Sequence, residues 1–352
     1  MRGLVLEAVE RITWRDDLPD PAVTAPTDAV VAVRRAGLCG SDLHPWAGRE
    51  RVAFGVVQGH EAVGDVVAVG PQVTAVAPGA RVIVPFTTSC GRCGPCARAL
   101  TARCVRGQLF GFGPPAGGAG VTLHGAHADL LRVPLADTTL VSVPDDVDDV
   151  AAVLLADNVP TAWEAAERAG VRPGTAVAVV GLGAVGLSAV AAARRLGAST
   201  VVAIDPVADR RSRAAALGAT PAEPDDAGEV VARHGGREGV AAVIEAAGTD
   251  AAQATAFGLV RPGGVLSVIA VQTAPRFAFT PVAAYDANVT VRLGRASVRA
   301  TLGRMLPDLA RIADAVADVV VTHPQVPLRE GPATYERFGA RERGMVKALF
   351  VP

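Results

Sequence analysis

The chain has 352 residues, with 34 Lys+Arg against 35 Asp+Glu and half of its residues hydrophobic. That length predicts about two domains with a large core. The near-zero net charge argues against nucleic acid or an anionic membrane as the main partner. Lys347 is the sole lysine.

The N-terminal stretch mixes acids into its apolar residues and lacks a signal-peptide cleavage pattern. With metal-type cysteine spacing this predicts reduced thiols and a cytoplasmic protein. Up to about residue 150 the chain reads as short strands broken by Pro and Gly, among them Ala29–Val33, Ala62–Val69 and Arg81–Val84. This predicts an all-β, barrel-like region. Within it, Cys39 lies in Gly-Leu-Cys39-Gly-Ser41-Asp42-Leu-His44, and His60-Glu61 follow Gly59.

Next come Cys90, Cys93, Cys96 and Cys104, spaced C-x2-C-x2-C-x7-C. Four thiolates this close can fill all four positions around one structural zinc. The glycine-rich segment 111–120 predicts a mobile surface loop. Helical stretches at Asp149–Leu155 and Thr161–Ala169 flank Asp157, a carboxylate in an apolar setting. A free acid there is costly, and an ion would offset that cost. Cys39, His60 and Asp157 together would balance the charge of Zn²⁺ and leave a fourth position open. Each of the three also has an ordinary structural explanation when taken singly, as a buried thiol, a turn and a helix cap.

Beyond Asp157 the pattern alternates. Strands are expected at Ala176–Val180, Thr200–Ile204, Ala241–Glu245, Gly264–Ile269 and Val289–Leu293. Helices are expected at Gly186–Leu196, Val207–Leu217, Ala251–Leu259 and Ser297–Ala317. Such alternation predicts a parallel sheet covered on both faces. The uncharged run 176–193 is long enough to span a bilayer, but its β-branched start and glycine punctuation fit a buried strand turning into a buried helix. Gly181-Leu-Gly183-Ala-Val-Gly186 follows the first of these strands, and Asp205 ends the next, the context of a dinucleotide fingerprint. Asp205 suits ribose hydroxyls and opposes a 2′-phosphate, so NAD is expected over NADP. Arg210 and Arg211 nearby could soften that preference. The edge near Gly264–Val271 is expected to be available for pairing with another copy.

Taken together, these stretches, with Gly344-Met-Val-Lys347 near the end, resemble the medium-chain zinc-dependent alcohol dehydrogenases along essentially the whole chain. The resemblance implies a GroES-like β-barrel catalytic domain over 1–155 and 296–352, carrying the structural-zinc lobe 90–104. It also implies a Rossmann doubly wound cofactor domain over 156–295. It assigns Cys39, His60 and Asp157 to a catalytic zinc, the Asp being a variant of a more usual Cys. Glu61 would serve as a temporary ligand or outer partner, with Ser41 and His44 as proton relay. Thr161 and Val185 would contact nicotinamide, Arg210 the adenosine ribose and Lys347 a cofactor phosphate. Phe86 and Leu109 would line the substrate pocket, and Trp46 and Phe54 are further apolar candidates. Gly40 replaces an arginine that some members use on the pyrophosphate, and Pro45 follows His44 directly. The activity implied is hydride transfer between an apolar alcohol or carbonyl and nicotinamide, in a homodimer or homotetramer with two zincs per chain. A polyol, threonine or formaldehyde-adduct dehydrogenase, or a non-catalytic cofactor-binding protein, remains open on the same skeleton.

Overall fold

The computed structural model describes residues 1–112 and 123–352; residues 113–120 of the glycine-rich segment lie outside the described residues. The chain divides into two compact units. The first comprises 1–160, 297–317 and 321–352, and the second 161–296 with 318–320. The junction thus falls at Pro160/Thr161, a few residues beyond the expected 155/156.

In the first unit the β-rich pattern becomes two sheets. The larger runs His323–Pro327, Ala348–Val351, Ala29–Leu38, Glu61–Val69, Arg81–Val84, Val141–Ser142, with Leu130–Val133 also pairing Ala29–Leu38. The smaller has Gly3–Ala8 between Arg11–Arg15 and Val56–Val57. Val31, Val33, Val66, Val82, Phe110 and Leu131 belong to one buried core. Alternation along the strands sends these side chains to a common face. Cys39 directly follows the long Ala29–Leu38 strand, and His60 directly precedes Glu61–Val69, which pairs with it antiparallel. Antiparallel pairing therefore carries two residues 21 positions apart to one end of the sheet.

The second unit holds six parallel strands in the order Thr220–Ala222, Thr200–Ile204, Ala176–Val180, Val240–Glu245, Val260–Val268, Thr290–Leu293. In chain order this is 3-2-1-4-5-6, the doubly wound dinucleotide-binding topology. The sequence pattern missed Thr220–Ala222, which is only three residues long and contains a proline. The expected exposed edge is corrected. Val260–Val268 is flanked on both sides, and the outer strand is Thr290–Leu293. The helix expected from Thr161 begins at Asn158, because Pro160 is tolerated in a first turn where its missing N–H has no partner to lose. No helix among the described residues is long and apolar enough to cross a membrane. Val177–Val180 and Leu187–Val190 are buried in the unit's own interior.

Candidate functional site

The first unit brings Cys39, His60, Glu61 and Asp157 together, with ligand atoms all within 4.8 Å of one another. Asp157 Oδ2 lies 3.7 Å from His60 Nε2 and 3.8 Å from Cys39 Sγ. Tetrahedral zinc with bonds of about 2.0–2.3 Å needs ligand–ligand edges of about 3.3–3.8 Å, so this donor set fits a zinc ion. Asp157 reaches the site from the break between the helices Asp149–Ala156 and Asn158–Arg168. Ser41 Oγ lies 3.2 Å from Cys39 Sγ and 3.1 Å from His60 Nε2, in contact with two members of the same cluster.

The surrounding shell holds residues that the sequence pattern did not single out. Asp42, fully buried, places Oδ1 2.8 Å from His60 Nδ1 and accepts from the Cys39 amide at 2.9 Å through Oδ2. This carboxylate turns the imidazole so that Nε2 faces the other ligands, the usual role of a metal histidine's outer partner. Burial works against the Asp42 charge, but His60 outweighs it and holds its pKa below the usual range. Burial likewise opposes a charged His60, yet Asp42, with bonds to Asp157 and Cys39, raises its pKa well above the ordinary value. Burial and the Glu61 charge push the Cys39 thiol up. A cation entering here therefore displaces protons.

Glu61 is fully buried. Its Oε1 accepts from Asn158 Nδ2 at 2.9 Å, and its Oε2 accepts from Lys347 Nζ. Both oxygens accept a hydrogen bond, and one Glu61 oxygen also lies within 4.8 Å of the Cys39, His60 and Asp157 ligand atoms. This corrects the expectation for Lys347: the side chain is wholly buried and paired with Glu61 behind the ligand cluster, and does not present its charge to a cofactor phosphate. Burial opposes the Lys347 charge, but Glu61 first, with Cys39 and Asp157 behind it, outweighs that cost and raises its pKa. Burial raises the pKa of Glu61, and the Lys347 charge tempers the rise.

The aromatic residues separate into two groups. The Phe86 ring stands edge-on to His60 at a centroid distance of 6.3 Å, and Phe112, which the sequence reading missed, at 5.7 Å. Leu109 is half-buried and bridges to Thr87 beside Phe86. Trp46 instead packs into a separate cluster with Leu4, Leu6, Leu38 and Phe338. Phe54 is 56% exposed. Among the described residues, the ring contacts of His60 are with Phe86 and Phe112 and not with these two. His44 is half-buried in the short helix Leu43–Trp46, and burial with the nearby Arg49 lowers its pKa.

Cys90, Cys93, Cys96 and Cys104 likewise gather with all four sulfurs within 4.8 Å. The Cys93–Cys104 sulfur separation is 3.9 Å, close to the edge of about 3.8 Å expected for Zn–S bonds of about 2.3 Å. Backbone amides of Cys96 and Val105 lower the Cys93 thiol to about 6, while burial and the neighbouring sulfurs push Cys96 up to about 12.

In the second unit Gly181 has φ +91°, and a Cβ there would meet the Ala247 side chain at 2.6 Å. A Cβ on Gly186 would overlap the Gly181 carbonyl, whereas one on Gly183 meets no protein atom within 4 Å. Turn and packing thus explain the outer two glycines, and close approach from outside explains the middle one. Asp205 accepts from the Leu182 amide through Oδ2 and the Val207 amide through Oδ1, each at 2.8 Å. It therefore fixes the fingerprint turn. Arg210 Nη1 lies 3.8 Å from Asp205, while Arg211 is turned to Glu223 and two backbone carbonyls. Thr161 is buried at the start of the unit and Val185 half-buried in the first turn of the fingerprint helix.

An open cysteine–histidine–carboxylate set, a closed four-cysteine set and a dinucleotide fold define a zinc-binding dehydrogenase. Residues 25–145 match the alcohol dehydrogenase GroES-like domain, and 184–322 the zinc-binding dehydrogenase domain. The chain belongs to the medium-chain zinc-dependent alcohol dehydrogenase family. It is 40% identical over 341 residues, 97% of this chain and 86% of the relative, to the "Probable zinc-binding alcohol dehydrogenase" of Mycobacterium tuberculosis. The alcohol dehydrogenase TADH from Thermus sp. ATN1 superposes with a TM-score of 0.90 at 37% identity, covering 100% of this chain and 99% of that one. A Sinorhizobium meliloti 1021 dehydrogenase solved with NADP gives 0.82 at 27% identity, covering 100% and 99%.

Proposed function

We propose that this chain interconverts an apolar alcohol and its carbonyl compound with NAD as hydride acceptor. The observation that carries the reading is the assembly of Cys39, His60 and Asp157, with Asp157 at tetrahedral edge distances from the other two and Ser41 beside them. Zinc held by these three supplies Lewis-acid polarisation of an oxygen. Ser41, within hydrogen-bond reach of the cluster, takes the alcohol's proton, and His44 passes it towards solvent. Phe86 and Phe112 wall the His60 side with apolar rings, which favours an apolar over a polyhydroxylated substrate and keeps water from the reacting carbon.

Asp205 supports NAD: a buried carboxylate already holding two amides repels a 2′-phosphate, and among the two nearby arginines only Arg210 faces it. The NADP-bound Sinorhizobium relative makes the point worth testing. The fingerprint helix supplies its N-terminus to the diphosphate, and Thr161 and Val185 contact the nicotinamide. The four-cysteine lobe takes a second, structural zinc. A homodimer pairs through the outer strand Thr290–Leu293, where Leu293 is 55% exposed.

The experiment is a panel of primary, secondary, aromatic and polyol alcohols assayed with NAD⁺ and NADP⁺. A chelator-sensitive rate, fastest on apolar alcohols with NAD⁺, is expected. Preference for polyols or for NADP⁺ overturns the corresponding part of the reading.

A further inference from the structure

Behind the metal cluster, within the first unit, stands a second histidine that the reaction does not use. His127 is wholly buried, as is Tyr335. His127 Nε2 lies 3.0 Å from the Gly37 carbonyl, and Tyr335 Oη lies 3.0 Å from His127 Nδ1. A carbonyl can only accept, so Nε2 carries the hydrogen. Nδ1 then holds a lone pair and accepts from the tyrosine hydroxyl. The chain has one direction, Tyr335 to His127 to Gly37, and leaves no polar atom of either side chain unpaired. Burial lowers the pKa of His127, which keeps the imidazole in its neutral form.

The placement of this chain is specific. Gly37 lies on the Ala29–Leu38 strand, two residues before Cys39. The His127 ring also packs against the α-carbon of Gly59, where any Cβ would overlap the ring. Gly59 is the residue before His60. The backbone of 125–127 is laced to the same segment: Gly125 N donates to Val57 O at 2.7 Å, Ala126 N to Gly59 O at 2.9 Å and His127 N to Gln58 O at 2.8 Å. One imidazole thus holds the backbone leading into both the thiolate and the imidazole ligand. Phe350, 4.8 Å away edge-on, and Tyr335 fix the ring from its outer sides. A buried neutral histidine is an expensive way to fill a core position that an apolar ring would fill without desolvating two nitrogens.

We propose that Tyr335 and His127 are positioning residues for the Cys39–His60–Asp157 metal site, setting the separation of the Cys39 and His60 backbones through Gly37 and Gly59. The inference concerns the metal site alone and does not depend on the substrate or the nicotinamide cofactor.

The test uses Tyr335→Phe, which removes one hydroxyl and keeps the ring, and His127→Phe, which keeps an aromatic ring and removes both polar contacts. Metal release to a chelator is followed separately from the two sites, and cobalt is substituted at the Cys39 site to record its thiolate absorption band. Outer partners of metal ligands typically change affinity by about 10–100-fold. Acting through backbone, Tyr335→Phe is expected at the low end, about a 10-fold faster release with a shifted cobalt spectrum, the four-cysteine site being unchanged. A folded Tyr335→Phe protein with wild-type release and spectrum overturns the proposal. Equal acceleration at both sites also overturns it, because that reports general loosening of the unit. If His127→Phe fails to fold, Tyr335→Phe alone decides.

Discussion

Replacing Lys347 by methionine tests the buried pair behind the metal cluster. Lys347 and Glu61 are both fully buried, and Glu61 then retains only the Asn158 amide as a donor. Breaking a buried pair by removing one partner costs about 3–5 kcal/mol, because the other charge stays buried and uncompensated. Lys347→Met is expected to lose about that much stability at pH 8. Adding Glu61→Gln removes the stranded charge and keeps an acceptor for Asn158, so the double variant should recover much of the loss. The cycle isolates the coupling. Without lysine, the folded-state pKa of Glu61 rises further above its unfolded value, since burial already pushes it up. A carboxyl with a raised folded pKa costs stability above its unfolded pKa, and the cost shrinks as pH falls through the folded pKa. The Lys347→Met defect should therefore diminish on acidification. Urea unfolding of zinc-loaded protein is the assay, read by tryptophan fluorescence, with Trp14 and Trp46 in the first unit and Trp163 in the second. A loss under about 1 kcal/mol, constant with pH, refutes the reasoning, since it means that water or another group compensates Glu61.

Four further outcomes are expected. Asp157→Ala should remove the metal of the Cys39 site while leaving the four-cysteine zinc, read as the fall in bound metal per chain together with loss of activity; unchanged stoichiometry would reject Asp157 as a ligand. Asp42→Asn should weaken metal binding at that site by about 10–100-fold, measured by chelator competition, because His60 loses the charge that orients it. Metal affinity should fall as pH falls, since His60, raised above its ordinary pKa, and the elevated Cys39 thiol must both give up protons; a flat competition curve would contradict both shifts. Asp205→Ala should loosen the Leu182 turn as well as the ribose site, so NADH binding followed by fluorescence should weaken by more than tenfold. A gain in NADPH binding alone would show that Asp205 acts only through charge.

Much of the site was legible in the sequence because metal ligands need particular side chains at close spacing. The cysteine quartet lies within 15 consecutive residues and Asp157 stands out as an acid among apolar neighbours, whereas the strand end beside Cys39 came from the structure, the expected strand having stopped at Val33. The doubly wound unit was legible for a similar reason. Each strand and helix buries a face against its neighbours, so periodicity marks it, and the strands Ala176–Val180 and Thr200–Ile204 fall as expected. Thr220–Ala222 has too few residues to carry a period. The roles of Phe112, Trp46 and Lys347 were not legible, because a local pattern reports that a residue is apolar or charged and says nothing of what it faces.

What the sequence by itself determined was chemical inventory and local geometry: which donors exist, where the strands start, where glycine is required. What only tertiary structure decided was pairing between residues far apart in the chain. Lys347 meets Glu61 across 286 positions, and Tyr335 meets His127 across 208. A buried charge or hydroxyl is stable only where the fold delivers a partner to it, and no local signal records which partner that is.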